Sequence, residues 1–184
     1  MAPIMNMISA TLLQRIIGMT TGMNAVFSYL PLKDEPDIGV CLRELMKRDV
    51  TVVVPKMIDN HILPVQLHSF DDCVAGRFSI MEPPHSLPFS PDKIDIFFIP
   101  GVLFDTQCNR KGHGYGYFDR FLADLKDTKP LVGVCYDKQV IEDLAPQPWD
   151  IPMDAVITEQ RILLRKDSRF GQTLWNTHEK ARHF

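Results

Sequence analysis

The chain lacks any apolar run long enough to cross a bilayer, although 45% of its 184 residues are hydrophobic. Its formal net charge of −3 leaves no positive excess that would attract nucleic acid or an anionic membrane. It also lacks an internal repeat, and its length suits one domain with its own core. We therefore expect a cytoplasmic monomer that binds small molecules, without nucleic acid or membrane as a partner.

Paired cysteines are also missing. The four cysteines, at positions 41, 73, 108 and 135, form neither a C-x-x-C pair nor a zinc spacing. Reduced thiols are the simplest interpretation. Cys108 lies close to a glycine-rich segment, but the sequence places no activating base beside it, which disfavours a nucleophilic role.

Charge is scarce at the start of the chain, where Arg15 is the only charged residue before Lys33. Targeting segments usually carry several arginines, so residues 9–17 are better interpreted as an apolar helix capped by Ser9. The other end is polar and without pattern, and it predicts a flexible tail over residues 166–184. His178 and His183 in this tail are expected to be solvated.

Between these ends, strand-like and helix-like segments alternate. Strands are predicted at 25–29, 50–54, 61–70, 94–99, 131–135, 155–157 and 161–164, and helices at 38–46 and 117–125. This order predicts an α/β fold, a mostly parallel twisted sheet with helices on both faces, as a single domain over residues 1–165. The four prolines of residues 82–92 indicate a rigid connecting loop.

Ligands of such sheets gather beyond the carboxyl ends of the strands. The sequence places four segments there: Tyr29–Leu30, Pro55, Pro100–Gly101 and Tyr136–Asp137.

The most specific segment is the glycine loop, residues 109–119, in which Gly112, Gly114 and Gly116 alternate between a predicted strand and a predicted helix. It is neither a Walker A loop nor a dinucleotide fingerprint. Glycines let backbone N–H groups approach an anion, and a helix start favours negative charge. Asp119 would be repelled by bound phosphates unless Mg²⁺ lay between them. For the glycines alone, a flexible surface turn is an equal alternative.

The full string, Pro100–Asp105 with Asn109–Arg110 and Gly112–Asp119, resembles the signature of the 5-formyltetrahydrofolate cyclo-ligases, also called methenyltetrahydrofolate synthetases. The resemblance extends from Ser9 to Leu164. Its other parts are Phe27–Glu35, Val132–Tyr136 with Gln139, and Trp149–Glu159.

The resemblance implies ATP- and Mg²⁺-dependent cyclisation of 5-formyltetrahydrofolate to 5,10-methenyltetrahydrofolate, with release of ADP and phosphate. It places ATP at Arg110, Lys111, Gly112, His113, Gly114, Tyr115, Gly116, Tyr117 and Phe118. It places the folate at Leu30, Glu35, His113, Gly114, Tyr115, Gly116 and Tyr117, and Mg²⁺ at Asp119 and Asp154. From the residues alone, Lys111 and His113 could face solvent, Phe118 could belong to the core, and Asp154 could be a turn residue.

Two departures from the family pattern leave alternatives open. Trp149 stands where the family often has histidine, and the family's first basic helix, whose cation reaches the ATP phosphates, has no counterpart here. The missing cation predicts weak ATP binding by this chain. One alternative is therefore a catalytically weakened or non-catalytic folate-binding homologue. Another is a different sheet-based enzyme that acts on phosphosugars or acyl-coenzyme A.

Overall fold

The computed structural model describes residues 2–76, 81–84, 87–174 and 176, with side chains from Ala10 onward. The helices are α1 (Ala2–Met19), α2 (Gly39–Lys47) and α3 (Tyr117–Leu122). The strands are β1 (Ala25–Phe27), β2 (Thr51–Ile58), β3 (His61–Gln66), β4 (Val74–Ala75), β5 (Met81–Glu82), β6 (Ile96–Ile99), β7 (Leu103–Asp105), β8 (Arg110–Lys111), β9 (Leu131–Val134), β10 (Val140–Ile141), β11 (Ala155–Ile157) and β12 (Ile162–Leu164).

Seven strands form the main sheet, in the order β12–β11–β9–β6–β1–β2–β3. The five inner strands run parallel, while β3 and β12 pair antiparallel at the two edges. A small sheet, β10–β7–β8, and the β4–β5 pair lie outside it. The predicted α/β fold with a mostly parallel sheet is confirmed.

Helices cover both faces of the main sheet, as predicted. Leu12 of α1 and Leu42 of α2 belong to one buried cluster. Leu122 of α3 belongs to a second cluster, in which the rings of Phe27 and Phe97 stack with centroids 5.3 Å apart. Among the residues that the structure describes, no helix is both long enough and apolar enough to cross a membrane.

Some element bounds differ from those predicted. Helix α1 begins at Ala2, so Ser9 lies inside the helix and is not its N-cap. Helix α3 ends at Leu122, three residues early. Strand β2 continues to Ile58 because Asp59 and Asn60, both at positive φ, turn the chain straight into β3 as a hairpin.

The tail prediction is wrong for residues 166–174, which are docked on the domain. The Ser168 hydroxyl donates to Asp154, and Leu174 is buried with the residues of α1 and α2. Two contacts hold this segment. Ser168 forms a hydrogen bond with a buried carboxylate, and Leu174 removes apolar surface from water. His178 and His183 lie outside the described residues.

Candidate active site

A cleft of about 1040 Å³ opens at the carboxyl ends of the inner strands. Its walls are formed by Tyr29, Leu30, Leu32, Glu35, Pro55, Met57, Ile62, Glu82, Pro100, Gly101, residues 110–120, Ala123, residues 144–147 and residues 149–151. Of the four segments expected at strand ends, three line this cleft and Tyr136–Asp137 does not. The Asp137 carboxylate is instead 2.8 Å from Nε of Arg161 and accepts the Thr158 hydroxyl.

The glycine loop bends sharply into this cleft. Gly114 has φ of +89° and Gly116 has φ of +65°, which are left-handed conformations that other residues rarely adopt. A Cβ at Gly112 would lie 2.8 Å from Nη1 of Arg110. The alternation of glycines therefore serves two needs, backbone freedom at positions 114 and 116 and close approach of a side chain at position 112.

Arg120 fastens the loop from outside. Its guanidinium donates to the carbonyl of Tyr115 at 3.0 Å and to that of Asn60, in the β2–β3 turn, at 3.4 Å. The Tyr117 hydroxyl also donates to the Asn60 side chain, and the Tyr115 and Tyr117 rings stack with centroids 5.5 Å apart. The loop is thus held between α3 and the β2–β3 hairpin. Neither Arg120 nor Asn60 was anticipated from the sequence.

Arg110 is the most buried cation at the cleft, with a side chain only 2% exposed. Its Nη2 donates to Oδ1 of Asp119 at 2.9 Å, and its Nη1 lies 3.4 Å from the Pro100 carbonyl. Its guanidinium carbon lies 5.5 Å from the ring centroid of Phe118. The buried Nε has no hydrogen-bond partner in the described part of the chain. An arginine so placed lines the cleft with its charge while one of its donors, buried in this structure, stays unused.

Glu35 lines the same cleft and follows β1 in the chain. Its Oε2 accepts the backbone N–H of Leu32 at 2.9 Å. Burial raises the pKa of the Glu35 carboxyl above its ordinary value, while the Leu32 N–H and the nearby His113 oppose that rise. Leu30 is buried beside it in the cleft wall.

The two predicted metal ligands have different surroundings. Asp119 lines the cleft, and its Oδ1 accepts from Arg110 and, at 3.5 Å, from the Ile151 N–H. Asp154 does not line the cleft and is 1% exposed. Its oxygens accept from the Leu131 N–H at 2.8 Å, from Arg165 at 3.1 Å and from the Ser168 hydroxyl at 2.6 Å. To share a metal with Asp119, Asp154 would have to release these bonds and leave the interior.

Asp105, for which no role was predicted, holds the chain segment that leads into the glycine loop. This fully buried carboxylate accepts the N–H groups of Gln107 at 2.9 Å and Asn109 at 2.8 Å. Its Oδ2 accepts the Asn109 amide at 2.8 Å and the N–H of Leu144 at 3.1 Å. Asp105 therefore joins the β7–β8 hairpin to the cleft wall that begins at Leu144. Burial raises the pKa of the neighbouring Cys108 thiol to about 12, which argues against a nucleophilic role.

The rim of the cleft carries two exposed aromatic side chains, Tyr115, 58% exposed, and Trp149, 69% exposed. From the sequence, Trp149 was identified only as a departure from the family pattern. No function was predicted for Met57, Ile62 and Glu82, which line the cleft from β2, β3 and β5. These three residues are distant from the loop in sequence. The sheet order brings Met57 and Ile62 to the cleft, and packing of the separate β4–β5 pair brings Glu82.

Comparison with known proteins gives a consistent result. Residues 3–159 match the model of the 5-formyltetrahydrofolate cyclo-ligase family. The chain is 40% identical over 134 residues to the 5-formyltetrahydrofolate cyclo-ligase of Mycoplasma pneumoniae, an alignment that covers 72% of this chain and 71% of that protein. It is 30% identical over 147 residues to that of Escherichia coli, with 76% and 80% covered.

Among solved structures, the chain resembles Aquifex aeolicus 5,10-methenyltetrahydrofolate synthetase. The TM-score is 0.73 at 32% sequence identity, and the alignment covers 88% of this chain and 84% of the other.

Proposed function

The chain belongs to the 5-formyltetrahydrofolate cyclo-ligase family, and from this premise we propose that it converts 5-formyltetrahydrofolate to 5,10-methenyltetrahydrofolate with ATP and Mg²⁺. The single observation that carries the proposal is that twelve of the thirteen residues expected at the ATP, folate and metal sites line one cleft, all but Asp154. A shared cleft is needed because the γ-phosphate must reach the formyl group.

In the proposed reaction, the formyl oxygen attacks the γ-phosphorus of ATP, and the bond from that phosphorus to ADP breaks. The secondary amine of the substrate then attacks the activated formyl carbon. The carbon–oxygen bond breaks, phosphate leaves with the former formyl oxygen, and the amine nitrogen passes its proton to the departing phosphate or to water. Both steps build or release negative charge on phosphate oxygens, so the protein contributes mainly through positioning and charge neutralisation.

The phosphates would lie against the glycine loop, where the positive φ of Gly114 and Gly116 would let the backbone come close to an anion and where the Arg110 Nε has no partner among the described residues. Lys111 is exposed beside the loop and adds a point charge. Helix α3 has only six residues, so the loop backbone and Arg110 carry more of this role than the helix start does.

A Mg²⁺ bound with ATP would neutralise phosphate charge. Asp119 fits such an ion, because within the described residues its Oδ2 has no hydrogen-bond donor, and Mg²⁺ is commonly held by one or two carboxylates plus phosphates and water. Asp154 does not fit without rearrangement. The described residues also contain no cluster of three His, Cys, Asp or Glu side chains that could hold an ion by themselves.

Glu35 would accept N–H donors of the folate's pterin ring, since an ionised carboxylate is an acceptor at both oxygens. No residue is assigned as an acid or base. Ring closure needs an activated oxygen and a nearby amine, and both belong to the substrates.

The absorbance of methenyltetrahydrofolate provides the test. The purified chain is mixed with 5-formyltetrahydrofolate and Mg²⁺, with and without ATP. The amount of methenyltetrahydrofolate and the amount of released phosphate are both measured. The proposal expects product only with ATP, at one phosphate per product. Folate binding without any turnover would instead identify a non-catalytic homologue. Absence of folate binding would remove the function altogether.

A further inference from the structure

A second carboxylate, Glu82, reaches the cleft from β5 and has no role in the proposed reaction. It is only 7% exposed and yet lines the cleft. Its one hydrogen bond among the described residues is a long one, 3.3 Å from the backbone N–H of Met57 to Oε1. A buried carboxylate normally requires several donors or a cation, and this one has neither within the described part of the chain.

The surrounding structure holds Glu82 in place. Lys56, the nearest basic residue along β2, donates its ammonium to the carbonyls of Pro83 and Pro84, at 3.1 and 2.7 Å, and not to the carboxylate. Gly76 leaves room for the side chain, because a Cβ there would lie 2.4 Å from the Glu82 carboxyl carbon. The carboxylate is therefore fixed in position while its hydrogen-bonding capacity stays largely unused.

The location of Glu82 indicates what it could bind. Strand β2, which it contacts, is the direct neighbour of β1, which leads to Leu30 and Glu35. The adjoining wall is apolar, with Pro55, Met57 and Ile62, and suits a flat ring better than phosphate. Strand β6, which leads to the glycine loop, lies on the opposite side of β1.

We propose that Glu82 binds the substrate, as a second acceptor for the N–H donors of the pterin ring, together with Glu35. The inference rests on the proposed function. The exocyclic amine of the pterin has two N–H bonds. One lies beside the ring N3–H, and the other lies beside N1, which carries no hydrogen. One ring can therefore serve two carboxylates at once, one through two parallel hydrogen bonds from N3–H and the adjacent amine N–H, and the other through a single hydrogen bond from the second amine N–H.

The test measures binding of 5-formyltetrahydrofolate and of a non-hydrolysable ATP analogue by calorimetry, on separate samples. Glu82→Gln should weaken folate binding by about tenfold and leave binding of the ATP analogue within about twofold. Glu142→Gln, at an exposed glutamate outside the cleft, is the matched control and should change neither. Gly76→Ala keeps the carboxylate but displaces it, and should also weaken folate binding selectively.

A folate analogue without the exocyclic amine separates recognition from mere structural support. If Glu82 accepts a hydrogen bond from that amine, Glu82→Gln should weaken binding of the analogue by less than about threefold, because the analogue lacks the amine with which Glu82 would interact. An equal loss on both ligands would overturn the proposal.

Two other outcomes would also overturn it. Loss of ATP-analogue binding with normal folate binding would place Glu82 at the ribose hydroxyls. Unchanged folate binding in both Glu82→Gln and Gly76→Ala would remove Glu82 from the site. In either case, wild-type folate binding and turnover would leave the proposed function intact, whereas a wild-type chain that binds no folate would remove the function itself.

Discussion

The two walls of the cleft are built from opposite chemistry. The wall that follows β6 holds the glycine loop, with Gly114 and Gly116 at positive φ, and the buried guanidinium of Arg110. The wall beside β1 and β2 presents the carboxylates of Glu35 and Glu82 over apolar side chains. Donors on one side favour an anion, and acceptors on the other favour a ring rich in N–H groups. We infer from this contrast that the strand a segment follows decides which substrate that segment would bind.

Removing the cation of the donor wall should have the largest effect. Arg110→Met keeps an unbranched apolar stem but eliminates every hydrogen-bond donor of this side chain. Two charge-assisted hydrogen bonds of about 1.5 kcal/mol each correspond to a loss of about hundredfold in ATP affinity. Calorimetry with a non-hydrolysable ATP analogue measures it, and folate affinity should stay within about twofold. Comparable losses for both ligands would mean that the two walls do not act separately.

The backbone of the same wall can be tested with a matched pair of glycines. Gly114 and Gly22 both have positive φ, +89° and +79°, and at neither position would an added Cβ meet another atom within 4 Å. Gly114→Val and Gly22→Val should therefore lower the melting temperature similarly. Only Gly114→Val should weaken ATP binding, by at least about tenfold, because the phosphate needs close approach to the loop. Equal ATP affinity in the two variants would contradict loop binding.

On the acceptor wall, Glu35→Gln should weaken folate binding by about tenfold, with ATP binding nearly unchanged. Wild-type folate affinity should also fall as pH drops through the Glu35 pKa, which burial raises, because the protonated carboxyl accepts fewer hydrogen bonds. Because the Glu35 pKa is higher in the folded chain than in the unfolded chain, protonation of this group at low pH favours the folded state. The expected loss of folate affinity therefore does not come from unfolding caused by Glu35. Titrations across acidic pH should show a flatter profile for Glu35→Gln, and identical profiles would argue against the assignment.

The two aspartates give the smallest and most diagnostic contrast. Asp119→Asn should raise the Mg²⁺ concentration that turnover needs by several-fold, and it should also lower stability, because the buried Arg110 loses its charged partner. Asp154→Asn should destabilise the chain by about 1–3 kcal/mol, because the Leu131 N–H, Arg165 and Ser168 lose a charged acceptor. Its Mg²⁺ dependence should stay normal. If Asp154→Asn raised the Mg²⁺ requirement as Asp119→Asn does, the result would support a metal site shared by the two aspartates.

The sequence predicted the parallel sheet and the glycine loop because their signals are local. Apolar runs such as Ile96–Ile99 identify buried strands, and three alternating glycines identify a tight backbone. It did not predict the Arg110–Asp119 ion pair or the Asp154–Ser168 bond, since each depends on how separate segments pack. No role was predicted for Glu82, because its position in the cleft also depends on how separate segments pack. A glutamate in a proline-rich stretch looks solvated until the β4–β5 pair packs it against β2.

Simultaneous binding tests most directly whether one cleft holds both substrates at once, each on its own wall. The affinity for 5-formyltetrahydrofolate is measured with and without a saturating, non-hydrolysable ATP analogue and Mg²⁺. We predict that both ligands bind together, with the folate affinity unchanged or strengthened by the nucleotide analogue. Mutually exclusive binding, with the folate displaced as the analogue is added, would contradict the two-wall arrangement.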